Sequence, residues 1–273
     1  MNRTGMGVDS AALVATLLCC LVAVVLLMGA TMGLAVARRR MSIVDVAWGL
    51  GFVLVAAVSF GISATGGGAD GSRWLLLVMT AAWGLRLAIH IARRNAGRPE
   101  DPRYVALMGE DSRGLAGRAL RRVFVPQGVT MFVISLPIQV GVNSDATRWW
   151  LAAPGIAIWL VGLTFEGLGD AQLARFKADP AHHGQVMDRG LWRYTRHPNY
   201  FGDACVWWGL WLVAGSSWLG LATVVSPLLM TYLLAGKTGK PLTERSMAAS
   251  KPGYADYVAR TSSFVPLPPR RTR

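Results

Sequence analysis

Long apolar runs, each closed off by a short polar or basic segment, fill this chain from residue 10 to residue 235. A helix needs roughly 20 mainly apolar residues to cross a bilayer core. Backbone in lipid must also satisfy its own hydrogen bonds, so helices are the spanning element for runs of this length. Seven runs qualify, over 10–37, 43–64, 74–92, 123–142, 149–168, 200–214 and 218–235, the sixth being short. The expected fold is all-α: a polytopic membrane bundle of about seven transmembrane helices, with residues 1–273 as a single integral membrane domain. Only 16% of the residues are charged, against roughly a quarter in a soluble domain, and no run is left over for a separate soluble domain.

The net charge of +13 raises the question of nucleic acid, and its placement answers it. Of the 28 Lys and Arg, 24 lie in the loops after the first, third and fifth runs and in the C-terminal tail. That alternation is the positive-inside pattern. It predicts an N-terminus outside and a cytoplasmic C-terminus, with membrane lipids rather than nucleic acid as the surrounding partner. The opposite connections, 65–73, 143–148 and 215–217, are short, so the working loops are expected on the cytoplasmic side. The first run ends in Arg38-Arg39-Arg40 rather than a small-residue cleavage site and reads as a retained span. The basic end, 266–273, is expected to fray near anionic lipid. Cys19, Cys20 and Cys205 sit inside apolar runs and read as small core hydrophobes.

The segment 190–203 concentrates polar chemistry at the mouth of an apolar, Trp-rich run. Pro198 fits a helix start. Arg193 and Arg196 suit phosphates, Asn199 suits an amide or a ribose, and Tyr200 and Asp203 fall on the first turn beyond, with His197 in the same segment. The alternative is a positive-inside loop with a helix cap. Glu166 and Asp170 share a helix face, where their repulsion calls for ligand hydroxyls and amides between them or for neutralisation by Arg175 or Lys177. A basic loop, 93–104, contains Arg98 and offers either a phosphorylated-cofactor contact or a lipid-headgroup contact. Within the runs, Asp45, Arg86, His90 and Gln127 stand out, since an intramembrane ionisable group marks a functional site by default. Asp45 and Arg86 are open to two readings, a catalytic acid with its partner or a structural ion pair. His90 is read as a site residue or as a side chain snorkelling to the interface. There is no Gly-x-Gly-x-x-Gly after a strand and no complete phosphate loop, so any nucleotide must be held by the bundle itself.

These pieces resemble the bacterial branch of the steroid 5-alpha-reductase-like membrane family. The matching stretches are 42–49, 83–87, 93–104, 135–139, 166–177, 190–203 and 254–266, most of the chain, with 190–203 the most specific. The resemblance implies seven spans and a cytoplasm-facing cavity holding NADPH. The reaction it implies is reduction of a carbon–carbon double bond in a lipid-soluble substrate, in a bacterial inner membrane. Carried over by position, it implies cofactor contacts at Arg98, Asp170, Lys177, Arg196, Asn199, Tyr200 and Asp203. Glu244 falls in a C-terminal segment, 236–273, that closes the site. Glu166, Arg193 and His197 join this set from the residue reading, and Asp45, Arg86 and His90 are the catalytic candidates. Two departures stand out. The steroid enzymes pair a Glu in span two with a Tyr in span three, whereas here span two offers Asp45 and span three offers only Trp83 or Gly84. Asp203 stands where Glu is usual. A second functional class, an S-adenosylmethionine-dependent methyltransferase resembling the isoprenylcysteine carboxyl methyltransferases, shares the Arg-His-Pro-x-Tyr segment. Asn199, Asp203 and the span-two and span-three motifs favour the reductase.

Overall fold

A computed structural model describes residues 3–4, 8–66, 70–109, 113–237 and 239–270. Arg271 and Arg273 of the basic end and the middle of the 65–73 connection lie outside the described residues. The regular structure of the described residues is helical apart from two short strands, Arg3–Thr4 and Val8–Asp9, paired antiparallel ahead of the first helix. Among the described residues six helical segments are long and apolar enough to cross a membrane: Ser10–Ala37, Ile43–Ala64, Asp70–Asn95, Leu115–Gly141, Trp149–Ala178 and Trp218–Ser250. The sixth expected run forms a helix too, Pro198–Ala214, of 17 residues. The sequence boundaries fall short most in three places. The fourth segment begins eight residues before residue 123, at Leu115, the fifth helix continues ten residues past residue 168, to Ala178, and the last segment runs on to Ser250.

The chain divides into two compact units, Met1–Ala153 with Leu210–Ser226, and Pro154–Gly209 with Pro227–Arg273. In the first unit, α1 (Ser10–Ala37), α2 (Ile43–Gly66) and α3 (Asp70–Asn95) form the bundle, followed by the short α4 (Pro102–Met108) and α5 (Leu115–Ala119). The helix continues into α6 (Val125–Ile134) through a wide turn, Leu120–Phe124. Pro126 explains that turn: its ring cannot sit over the carbonyl four residues back, so the local ladder widens. α7 (Leu136–Gly141) completes the fourth apolar segment. α2 and α3 touch backbone to backbone, because a Cβ on Gly49 would lie 2.3 Å from the Gly84 carbonyl, and one on Gly84 2.6 Å from the Gly49 carbonyl.

The second unit is built on the greater part of α8 (Trp149–Ala178), from Pro154 on, and of α9 (Pro198–Ala214), up to Gly209. Gly155, Gly162 and Gly169 recur every seven residues on α8, as do Gly202 and Gly209 on α9. Two helical turns return a residue to nearly the same face, so these glycines make one seam. A Cβ on Gly162 would meet the Gly202 carbonyl at 2.5 Å, and one on Gly209 the Gly155 carbonyl at 2.6 Å. Helices packed through lipid approach this closely only on small residues. Beyond α10 (Trp218–Ala222), α11 (Val225–Tyr232) leads into α12 (Lys240–Ser250) and α13 (Tyr254–Arg260), and the tail continues without regular structure.

Candidate functional site

The α8–α9 seam decides where the polar residues of the second unit meet. Gly169 lets Pro198 and Asn199 approach, since an added Cβ there would lie 3.1 Å from the Pro198 ring and 3.3 Å from the Asn199 nitrogen. Trp192 Nε1 donates to the Gly169 carbonyl at 3.0 Å. Asn199 Nδ2 donates to Asp170 Oδ1 at 3.3 Å, and Asn199 Oδ1 accepts from the Tyr200 amide. Glu166 and Asp170 are buried, at 2% and 8% exposure. Glu166 stands against Gly202, whose absent Cβ would sit 2.5 Å from the Glu166 nitrogen, with Asp203 the next residue along. The pairing that the 166–170 spacing demands is thus supplied in part by Asn199.

One step back along the chain, Arg196 and His197 are buried and converge on Glu244 of α12. Arg196 Nε donates to Glu244 Oε1 at 2.9 Å, and His197 Nε2 lies 3.2 Å from the same oxygen. Arg196 Nη1 also donates to the carbonyls of Val258 and Thr261. The tail is laced to the 190–197 segment by its main chain. Arg196 donates to the Ser262 carbonyl at 2.9 Å, Thr195 Oγ1 to Phe264 at 2.8 Å, and Tyr257 Oη to Trp192 at 2.6 Å. Burial lowers the His197 pKa to about 4, against the opposing pull of Glu244, so the ring is neutral near pH 7. Tyr200 stacks on His197 at 5.2 Å and reaches Thr243 through its hydroxyl. Arg196, His197 and Glu244 therefore pair with one another, and they do so at the edge of a hollow. A cavity of about 190 Å³ is lined by Trp192, Tyr254 and Tyr257, with Lys177, Arg196 and His197 supplying polar groups.

The first unit holds a separate polar chain. Tyr104 Oη donates to Asp45 Oδ1 at 2.5 Å, and Gln127 Nε2 donates to Tyr104 Oη at 3.4 Å. Trp48 Nε1 donates in turn to Gln127 Oε1. The cation beside Asp45 is Arg103, at 3.6 Å, rather than Arg86; Arg103 is itself clamped by Asp101 at 2.7 Å. Its hydrogen bonds hold the Asp101 carboxyl below the usual range. Burial, then the Asp45 charge, push the Tyr104 phenol far above its ordinary value, so its proton stays in place at any physiological pH. Tyr104 is held by a short helix whose start is legible: Asp101 caps it, accepting from the Arg103 amide at 2.8 Å, and Pro102 takes the first position. Glu100 reaches back to the start of α2, accepting from the amides of Met41 and Ser42 ahead of it.

The sequence reading took Tyr104 as the end of the basic loop 93–104, a cofactor or headgroup contact rather than a partner of Asp45, and left Glu100 out. Span three offers no phenol, and none could stand at Gly84, where a side chain would enter the Gly49 backbone. Tyr104 instead reaches Asp45 from 59 residues away. Arg86 and His90 are half-buried on α3 and are not without interactions of their own. Arg98 is exposed after the Gly97 turn, Lys177 is exposed at the cavity rim, and Arg193 lines a different cleft from Arg196.

This architecture defines a polytopic helical membrane protein with buried carboxylates at the mouth of a glycine-packed helix pair. Residues 32–261 match the family described as a protein of unknown function, DUF1295, and the chain belongs to that family. It is also distantly similar to two curated steroid 5-alpha-reductases. The DET2 protein of Arabidopsis thaliana is 35% identical over 74 residues, 27% of this chain and 28% of that protein. The DET2 protein of Gossypium hirsutum is 32% identical over 78 residues, 29% of this chain and 30% of that protein. The chain thus spans less than a third of the length of these relatives. No solved structure matches.

Proposed function

We propose that the chain is a membrane-embedded, NADPH-dependent reductase of a carbon–carbon double bond in a lipid-soluble, steroid-like substrate. The observation that carries the reading is the convergence, in one unit, of Asp170 with Asn199 and of Arg196, His197 and Glu244 beside an aromatic-walled cavity. The donor set fits a dinucleotide. Carboxylates at Glu166, Asp170 and Asp203 suit ribose hydroxyls and a carboxamide, the Asn199 amide suits either, and Lys177 is an exposed cation at the rim. Arg196 and Glu244 hold the segment 236–273 over that rim, and Tyr200 fixes the His197 ring by stacking. The two DET2 relatives are steroid 5-alpha-reductases, which supports the reaction class.

NADPH supplies the hydride when bound. The chain must supply an acid to polarise the substrate, and the pair we assign is Asp45 and Tyr104, in preference to Arg86 and His90. Tyr104 keeps a proton at Oη, and Asp45 and Gln127 orient it. The membrane is proposed to be a bacterial inner membrane, with the N-terminus outside and the 236–273 segment in the cytoplasm; cysteine labelling from either side of sealed vesicles tests this orientation. Thermal unfolding in detergent tests the function. A ligand held only by the folded state raises the melting temperature by mass action, so NADPH should protect and S-adenosylmethionine should not. Protection by S-adenosylmethionine alone would replace the reductase with the methyltransferase.

A further inference from the structure

Four arginines, Arg189, Arg193, Arg260 and Arg270, line one cleft of about 610 Å³ within the second unit. The path of the chain brings them together. Gly190 turns the backbone directly after Arg189 with φ of 59°, a left-handed conformation that favours glycine, and the short helix Gly190–Arg193 carries Arg193 round. The tail then runs back along this segment: Leu267 donates to the Tyr194 carbonyl at 3.0 Å and Arg270 to the Arg260 carbonyl at 2.9 Å. Main-chain hydrogen bonds therefore hold the walls, and the guanidinium groups are not needed for the fold.

The charge in the cleft is unbalanced. Asp188 lies 2.6 Å from Arg260 and orients it. Among the described residues no carboxylate lies within ion-pair distance of Arg189, Arg193 or Arg270. An exposed basic face needs no counter-ion, but this one is concave, and three unpaired planar forks aimed into one hollow match a tetrahedral anion. Beside it, Tyr194, Val265 and Leu267 are 43%, 53% and 52% exposed, apolar side chains of the kind that accompany a headgroup at a membrane surface.

We infer that this cleft binds a phosphate group, carried by an anionic lipid headgroup or by a soluble phosphate, at a site separate from the cavity of Lys177, Arg196 and His197. The inference stands whether or not the chain is a reductase. It is tested on the full-length protein in detergent, at fixed ionic strength, by titrating short-chain phosphatidylglycerol, short-chain phosphatidylcholine and inorganic phosphate. Phosphatidylglycerol should bind, and phosphatidylcholine, whose phosphate carries its own cation, should bind much more weakly. Removing charge-assisted contacts in an Arg189→Glu/Arg270→Glu double variant should weaken binding by at least about tenfold. Both side chains are exposed, so the variant should fold. Arg189→Gln/Arg270→Gln should give an intermediate loss. Competition of inorganic phosphate with the lipid assigns the headgroup as the source, and saturation by phosphate without lipid binding assigns a soluble one. Binding of phosphatidylglycerol or phosphate that is equal in wild type and variants, or no binding of either by the wild type, overturns the site. An equal loss of NADPH affinity in the double variant overturns its separateness.

Discussion

The mouth of α8 and α9 and the Asp45–Tyr104 chain solve the same problem, holding charge beside an apolar bundle, in different ways. At α8–α9 the polar side chains are anchored to main chain. Arg196 donates to two carbonyls, the tail is laced to 194–196, and a glycine seam fixes the helix spacing. The Asp45 chain is anchored mostly side chain to side chain, from Trp48 through Gln127 and Tyr104 to Asp45 and Arg103. Main-chain anchoring makes the first region a rigid receptor, in which a change disturbs shape. Side-chain anchoring leaves the second able to lose one proton donor without losing its frame.

The largest effect should come from the seam. Gly202→Leu drives a side chain into the Glu166 backbone and should cost on the order of 3 kcal/mol or more, abolishing the folded second unit in a thermal melt. Gly29→Ala, at a position with open space, should leave the melt within about 0.5 kcal/mol of wild type. Next is Tyr104, the proposed acid. Tyr104→Phe should slow turnover by about 10²-fold or more, the scale of general acid catalysis, with little change in NADPH affinity. A normal rate would assign the phenol to structure.

Acid should separate the two regions. The His197 pKa is lowered from 6.5 to about 4. Between those values the unfolded state binds the proton and the folded state does not, so stability falls as pH drops through the window. Arg196, Lys240 and Glu244 surround the ring electrostatically, and Glu244 opposes the shift. His197→Gln should flatten the pH dependence of the melting temperature between pH 6.5 and 4, whereas Tyr104→Phe should leave it unchanged. The smallest effect belongs to Arg103→Ala. Its side chain is 52% exposed, and partners of that kind are worth about 1 kcal/mol or less.

The same contrast explains what was legible in the sequence. The polar residues of 190–203 are neighbours in the chain, and an Arg-His-Pro-Asn-Tyr string before an apolar run is conspicuous without a structure. The apolar runs likewise marked the helices, and they did so without revealing that the helix of Glu166 and Asp170 continues unbroken past Lys177. The contact between Tyr104 and Asp45 spans 59 residues, and no local pattern encodes it. One signal pointed toward it: Asp101-Pro102 announces a helix start ahead of Tyr104. Glu100 was one of two adjacent carboxylates in a basic loop, and its role depended on the distant amides of Met41 and Ser42.

The central claim is that the α8–α9 mouth grips NADPH. Equilibrium binding of NADPH to detergent-purified wild type, Asn199→Ala and Tyr104→Phe tests it most directly. Tight binding by wild type and Tyr104→Phe, with affinity about tenfold weaker in Asn199→Ala, is the predicted result. Absence of NADPH binding by the wild type, or equal affinity in Asn199→Ala, would contradict it.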